Sequence, residues 1–244
     1  MLDATRTMPG VPILADLLAR RVRADGAAPL ITYYDLASGE RTELSAITFA
    51  SWVAKTSNLV VDELLLAPGD LVELALARSH PGHWVTLVWE LACWRTGLVV
   101  TPDPAAGEAR VVVCGPDWSE VDPGGADLVA CALHPWGLGF ATPLPPGVLD
   151  YALEARVQPD VSPVAPVPGG AAAWVDEERQ LTQDDLVGSG PQARERRLVR
   201  PGRPWLTAYE ALVRPLLDGG STVLVAGPDD PERVARIGAD EQVG

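Results

Sequence analysis

The stretch HWVTLVWELACWRTGLVVTPDP, residues 83–104, decides how the chain folds. Its first half has the length of a helix but no broad polar face. Trp84, Trp89 and Trp94 fall at about 0°, 140° and 280° around a helix axis, so indole rings surround it. Only Thr86 and Glu90 make a narrow polar wedge before the terminal Arg95 and Thr96. A helix apolar on most sides is buried between layers or against a partner. Gly97 stops it, and LVV at 98–100 starts a strand. The spacing therefore predicts a helix over 82–96 leading directly into a buried strand.

The flanking sequence repeats the alternation of helix and strand. Residues 11–24 carry apolar side chains at helical spacing, ended by Gly26. LITYYD (30–35) and ERTELS (40–45) alternate around Ser38-Gly39 and read as a hairpin. Thr48 reads as the cap of an amphipathic helix over 49–65, with Lys55 on its polar face. Strands are predicted at 71–76, 110–114, 127–132, 171–175 and 221–226, and helices at 148–156, 183–188, 207–217 and 231–237. Asp230-Pro231-Glu232 supplies a cap, a first-turn proline and an early acid for the last helix. This order predicts an α/β layered fold, a mainly parallel sheet flanked by helices. We expect a single α/β domain over 1–244, divisible into an N-terminal unit with the initial hairpin (1–145) and a smaller C-terminal portion (146–244).

Composition narrows the function. The 244 residues carry 33 acidic and 19 basic side chains, a formal net charge of −14. Such a surface repels phosphate backbones and anionic lipid, so neither nucleic acid nor membrane is expected as a partner. Cys93, Cys114 and Cys131 lie in apolar stretches without a CxxC pair, as buried thiols of a reducing compartment do. The N-terminus lacks the pattern of a signal peptide, and no stretch of 18 uncharged apolar residues occurs, so a cytoplasmic location is expected.

Sites of chemistry are sparse. His80-Pro-Gly-His83 places two imidazoles three apart, but Pro and Gly keep them off a helix face, so no metal site is expected. No G-x-S-x-G elbow is present, and Gly137-x-Gly139 lacks the third glycine of a dinucleotide loop. Arg194, Arg196, Arg197, Arg200 and Arg203 form a local basic patch. Arg194, Arg197 and Arg200 are the candidates to grip one small anion; the plain alternative is a solvated charged loop.

The run TFASWVAKTSNLVVDELLLAPGDLVELAL (48–76), followed by HWVTLVWELACWRTGLVVTPDP, resembles the N-terminal region of the adenylate-forming superfamily: acyl-CoA synthetases, luciferases and peptide-synthetase adenylation domains. Ala67-Pro68-Gly69-Asp70 and Arg95-Thr96-Gly97-Leu98-Val99-Val100-Thr101-Pro102 stand where that family has its "PGD" turn and its helix-to-strand "aGa-vvP". LTQDDLV (181–187) resembles the helix start after the family's phosphate loop, and PLLDGGSTVLVAGPDDPERV (215–234) the helix, glycine pair, strand and helix beyond it.

The resemblance implies the N-terminal scaffold of enzymes that join ATP to a carboxylic acid and pass the acyl group to a thiol. Their phosphate loop is rich in Ser, Thr and Gly and closes on a Lys. Here the corresponding stretch, PVPGGAAAWVDEERQLTQDDL (166–186), has Gly169 and Gly170, no hydroxyl until Thr182, and the acids Asp176, Glu177 and Glu178. The family's later acidic motif and catalytic Lys have no counterpart in these residues, and Lys55, the one lysine, lies on an N-terminal helix. We therefore expect a truncated relative without catalytic residues, and ATP or AMP binding without support from the motif. Its role would be interaction, regulation or ligand sensing. The alternative is a nucleotide- or acyl/CoA-binding component of a ligase completed by another chain. The helix carrying Trp84, Trp89 and Trp94, apolar nearly all round, predicts a homodimer or protein-partner interface.

Overall fold

The computed structural model describes residues 13–163, 165–188 and 193–243. Helix α1 (Leu14–Asp25) comes first; positions 11 and 12 of the predicted helix lie outside the described residues. The hairpin follows as β1 (Pro29–Asp35) and β2 (Arg41–Ser45), paired antiparallel. Asp35 closes its turn, its carboxylate accepting the N–H groups of Ala37 and Ser38 at 2.9 and 3.2 Å. Helix α2 (Ala46–Asn58) starts earlier than predicted. Ser45 is its cap, because it leaves β2 with an extended backbone and its Oγ accepts the Thr48 N–H at 3.2 Å. The last turn of this helix widens into a π turn at Leu59–Glu63.

The remaining elements are β3 (Leu71–Leu74), α3 (Leu76–Ser79), α4 (Trp84–Thr96), β4 (Val99–Thr101), β5 (Val111–Cys114), β6 (Asp127–Ala130), β7 (Val148–Asp150) and α5 (Tyr151–Val157). They continue through β8 (Ala172–Val175), β9 (Gln180–Thr182), α6 (Gln183–Val187), β10 (Arg196–Val199), α7 (Pro204–Ala208), α8 (Arg214–Asp218), β11 (Ser221–Ala226) and α9 (Pro231–Asp240). A π turn, Tyr209–Val213, joins α7 to α8.

The strands form two sheets rather than one. The smaller runs β10-β11-β1-β2, and the larger β7-β6-β5-β3-β4-β8-β9. All neighbours are parallel except the β1–β2 and β8–β9 hairpins. Each sheet takes strands from both sides of residue 145, since β1 pairs with β11 and β4 with β8. Strands β7, β9 and β10 were not predicted: 148–150, read as the start of a helix, pairs with β6, and 196–199, read as charged loop, is a strand beside β11. Glu241 fastens the end of α9 to the smaller sheet through ion pairs to Arg41, at 2.9 Å, and to Arg196.

Helix α4 is the centre of the core, packed among α1, α2 and strands β3 and β4. Its three tryptophans are at most 1% exposed. Trp84 meets Trp52 of α2 with ring centroids 5.4 Å apart, Trp89 meets Tyr151 of α5 at 5.3 Å, and Trp94 meets Trp205 of α7 at 6.4 Å. Three different elements of the same chain thus cover the three rings. The expectation that Trp84, Trp89 and Trp94 form an interface is corrected here: a helix apolar on all sides needed cover on all sides, and the chain itself supplies it. Trp94 Nε1 donates to the Ala173 carbonyl at 3.0 Å, and Gln183 Nε2 donates to the Trp94 carbonyl at 2.9 Å. Gly97 ends the helix in the left-handed conformation, φ 76°, where a side chain would also crowd Pro68. No helix among the described residues is long and apolar enough to cross a membrane.

Candidate functional site

Open parallel sheets bind ligands beyond the carboxyl ends of their strands. There, in the larger sheet, the chain leaves β3 towards Arg78, β4 towards Pro102, Asp103 and Pro104, and β8 into Asp176–Arg179. The start of α7 brings Arg203, Pro204 and Trp205 opposite them. Together these residues line a cleft of about 290 Å³.

The stretch where the phosphate loop was expected is a tight hairpin. Val175 pairs with Gln180, so only the four residues 176–179 connect β8 to β9. The Asp176 N–H donates to the Arg179 carbonyl at 2.9 Å, and the Arg179 N–H returns to the Asp176 carbonyl at 3.4 Å. The Asp176 carboxylate accepts from Trp174 Nε1 and the Glu178 N–H, both at 2.8 Å, and from Arg179 Nη1 at 3.3 Å. Burial pushes this carboxyl up, but those hydrogen bonds outweigh burial and hold it below its ordinary value. Three of the four backbone N–H groups in the turn therefore already have acceptors inside it. The preceding Gly169 serves packing: its carbonyl accepts the Asp184 N–H at 2.9 Å, and a Cβ there would strike the Asp184 carboxylate. Thr182 and Asp185 form a reciprocal capping box at the start of α6.

The arginines of the cleft are paired from within. Arg78 pairs with Glu73 at 3.1 Å and donates to the Pro102 carbonyl. Arg179 pairs with Asp176 at 3.3 Å and Glu178 at 3.0 Å, and Arg203 pairs with Glu178. The lining holds carboxylates at Asp103, Asp176, Glu177 and Glu178 against guanidinium groups at Arg78, Arg179 and Arg203. Trp205 supplies an aromatic wall, its ring 5.4 Å from that of Trp174. Sequence reasoning missed Arg78, Arg179 and Trp205. Each lies just beyond a strand or at a helix start, so strand direction was the signal that could have found them.

Of the predicted anion candidates, Arg197 and Arg200 line one trough and Arg194 lies outside its lining, but each guanidinium is engaged by a different partner. Arg194 faces Asp25 at the end of α1, 3.6 Å away. Arg197 pairs with Glu195 at 2.9 Å and Asp218 at 3.3 Å. Arg200 donates to the carbonyls of Gly227 and Pro228, at 3.0 and 3.2 Å. Lys55 ties α2 to the segment after α5, donating to the carbonyls of Gln158, at 2.5 Å, and Arg156, at 3.3 Å. His83 caps α4, its Nδ1 accepting the Val85 N–H at 3.1 Å; burial lowers its pKa to about 3, so the ring is neutral. All three cysteines are buried and free, and burial raises each thiol, Cys114 to about 11. Such thiols are poor nucleophiles. Among the described residues no group of three or more His, Cys, Asp or Glu stands together as a metal site would.

No protein-family model matches the chain. A protein of Mycobacterium tuberculosis (strain ATCC 25618 / H37Rv), named as a TIGR03089 family protein, is 36% identical over 241 residues, covering 93% of this chain and 94% of that relative. The chain belongs to the TIGR03089 family. Solved structures similar to this TIGR03089 family chain are acyl-CoA synthetases. The acyl-CoA synthetase of Brucella canis superposes with a TM-score of 0.72 at 17% identity, over 95% of this chain and 46% of the synthetase. Acetoacetyl-CoA synthetase from Streptomyces lividans gives 0.72 at 20% identity, over 97% of this chain and 43% of the enzyme. The N-terminal domain of FACL13 from Mycobacterium tuberculosis gives 0.64 at 14% identity, over 96% of this chain and 62% of that domain structure. This TIGR03089 family chain thus has the fold of the N-terminal region of acyl-CoA synthetases and spans less than half the length of the two whole enzymes.

Proposed function

We propose that this chain is a non-catalytic relative of the adenylate-forming enzymes, with a role in interaction, regulation or ligand sensing. The observation that supports this reading is the 176–179 turn. A loop that grips phosphates does so with backbone N–H groups left free to point at the anion. In this turn the N–H groups of Asp176, Glu178 and Arg179 already have internal acceptors. The nearby arginines are paired with the chain's own carboxylates, and Glu177 adds a further negative charge to the cleft. A triphosphate entering here would have to displace these pairs and face the released carboxylates. Pyrophosphate exchange with ATP across a panel of carboxylic acids tests the reading. The expected result is no exchange above the protein-free rate; exchange that scales with protein concentration would overturn it.

The aromatic wall of the cleft favours one second reading, a nucleotide- or acyl/CoA-binding component completed by another chain. Trp205 lines the cleft and is backed by the buried Trp174, so it offers one apolar ring to a ring or acyl group. Melting curves with AMP, ATP and acyl-CoA separate the two readings. A ligand present at a hundred times its Kd stabilises the fold by about 2.7 kcal/mol, and an unchanged melting temperature at millimolar ligand removes this second reading.

A further inference from the structure

We propose that the free edge of β10 docks an acidic, extended peptide segment of a partner protein, which adds to the smaller sheet as a fifth strand. The proposal rests on the interaction reading above and names the kind of partner. Strand β10 stands at the end of its sheet, paired only with β11 among the described residues. The Ser221 N–H donates to the Glu195 carbonyl at 3.0 Å, which sets the alternation of the backbone. The main-chain groups of Arg197 and Val199 therefore face β11, and those of Arg196 and Leu198 face outward. An outward row of N–H and C=O groups is a template for another strand.

The edge lies in a trough of about 580 Å³. Residues 196–200 form its floor, Leu206 and Glu210 stand on one side, and Val243 stands on the other. Leu206 is 56% exposed, an apolar contact beside the row of main-chain groups. Charge selects the occupant. Arg196, Arg197, Arg200 and Arg203 line this trough beside Glu210. Arg196 is held by Glu241, and Arg197 by Glu195 and Asp218, so the charges open to an occupant are those of Arg200 and of Arg203, whose pair with Glu178 is exposed on both sides. Arg200 is exposed and its acceptors are carbonyls, which leave its positive charge uncompensated. A strand carrying Glu or Asp on alternate positions meets both the basic side chains and the outward main chain. A second copy of this chain suits the edge poorly. Edge-to-edge pairing would set the arginines of one copy against those of the other, and like charges across a strand pair are destabilising.

The test uses the full chain and a fluorescein-labelled peptide, Glu-Val-Glu-Thr-Glu-Val-Glu, followed by fluorescence anisotropy at low salt. Saturable binding is expected, with the amides of Arg196 and Leu198 gaining protection from hydrogen exchange. The double variant Arg200→Ala with Arg203→Ala, both exposed positions, should weaken binding about tenfold, the scale of one lost charge-assisted contact. Peptides with Lys for Glu, or N-methylated at alternate residues, should not bind. No binding, equal binding of either control peptide, or displacement by tripolyphosphate with no amide protection would overturn the proposal. So would a homodimer in sedimentation that the peptide dissociates, because the edge would then hold a second copy. The two readings fail separately, since pyrophosphate exchange reports catalysis and this assay reports the strand edge.

Discussion

Helix α4 and the 176–179 turn are near neighbours, joined through the Trp94 bond to Ala173, but they are built on opposite principles. The helix holds its place by shape and apolar area. Its rings fill the space between layers, and every element they touch belongs to the same chain. The turn holds its place by hydrogen bonds and ion pairs, centred on Asp176 and Glu178. A scaffold made by packing tolerates wide change in sequence, because many apolar residues fill a space acceptably. Anion recognition at a loop is less tolerant, since it depends on a few N–H groups remaining unpaired.

The widest difference between the two regions lies in what one truncation costs. Trp89→Ala removes a fully buried ring from the middle of α4 and should destabilise the fold by about 3–5 kcal/mol. Urea denaturation measures it, and a loss under about 1 kcal/mol would break the picture of a tightly filled centre. Glu90, on the same helix, is the exception to its apolar logic. It is fully buried, and neither carboxyl oxygen has a hydrogen-bond partner among the described residues. Burial raises its pKa well above the ordinary 4.5, so the folded chain keeps a proton that the unfolded chain releases. Its effect is therefore absent below about pH 4.5 and grows as pH rises towards the folded value, costing up to about 1.4 kcal/mol per pH unit. Glu90→Leu, close in volume, should be more stable than the parent at pH 8, with the advantage shrinking towards pH 5. A pH-independent difference between the two proteins would show that Glu90 is paired or hydrated in the fold.

The same contrast explains what could be read from the sequence. Helix α4, the hairpin, strand 221–226 and the Asp230 cap of α9 were legible because each depends on periodicity or on residues a few positions apart. The start of α2 was misplaced because Ser45 and Thr48 are both good caps, and only the direction of β2 decides between them. Strand β10 was hidden because RRLV carries two arginines, whose partners Glu241 and Asp218 are remote in sequence. The tryptophans were legible as buried, but not what buries them, since Trp52, Tyr151 and Trp205 lie on three separate elements. At the cleft, the acidic run was visible, whereas its pairing to Arg203 depends on a contact 25 residues away.

Asp176 carries the turn, so its removal should have the next largest effect. Asp176→Ala leaves Trp174 Nε1 and the Glu178 N–H without their acceptor and should cost about 1–2 kcal/mol at neutral pH. Because the folded pKa of Asp176 is depressed, its contribution is present above its ordinary 3.8 and is lost as pH falls through the lower folded value. Parent and variant should therefore converge in strongly acidic solution, the opposite sense to Glu90. If they stay apart there, the turn is held by its main-chain bonds and the carboxylate is incidental.

The smallest effect should come from the ion pair that closes the cleft. Arg203 and Glu178 are 64% and 54% exposed at their side chains, so water screens the attraction and ordering two mobile side chains opposes it. A double-mutant cycle over Arg203→Ala and Glu178→Ala should give a coupling below about 1 kcal/mol, weaker still at high salt. Its value is diagnostic for function. If the pair is weak, Arg203 is available to an acidic strand at β10, and breaking the pair with Glu178→Ala should strengthen peptide binding while barely moving stability. If the coupling proves large, Arg203 is committed to the turn, and the basic trough must rely on Arg200 for its most exposed charge.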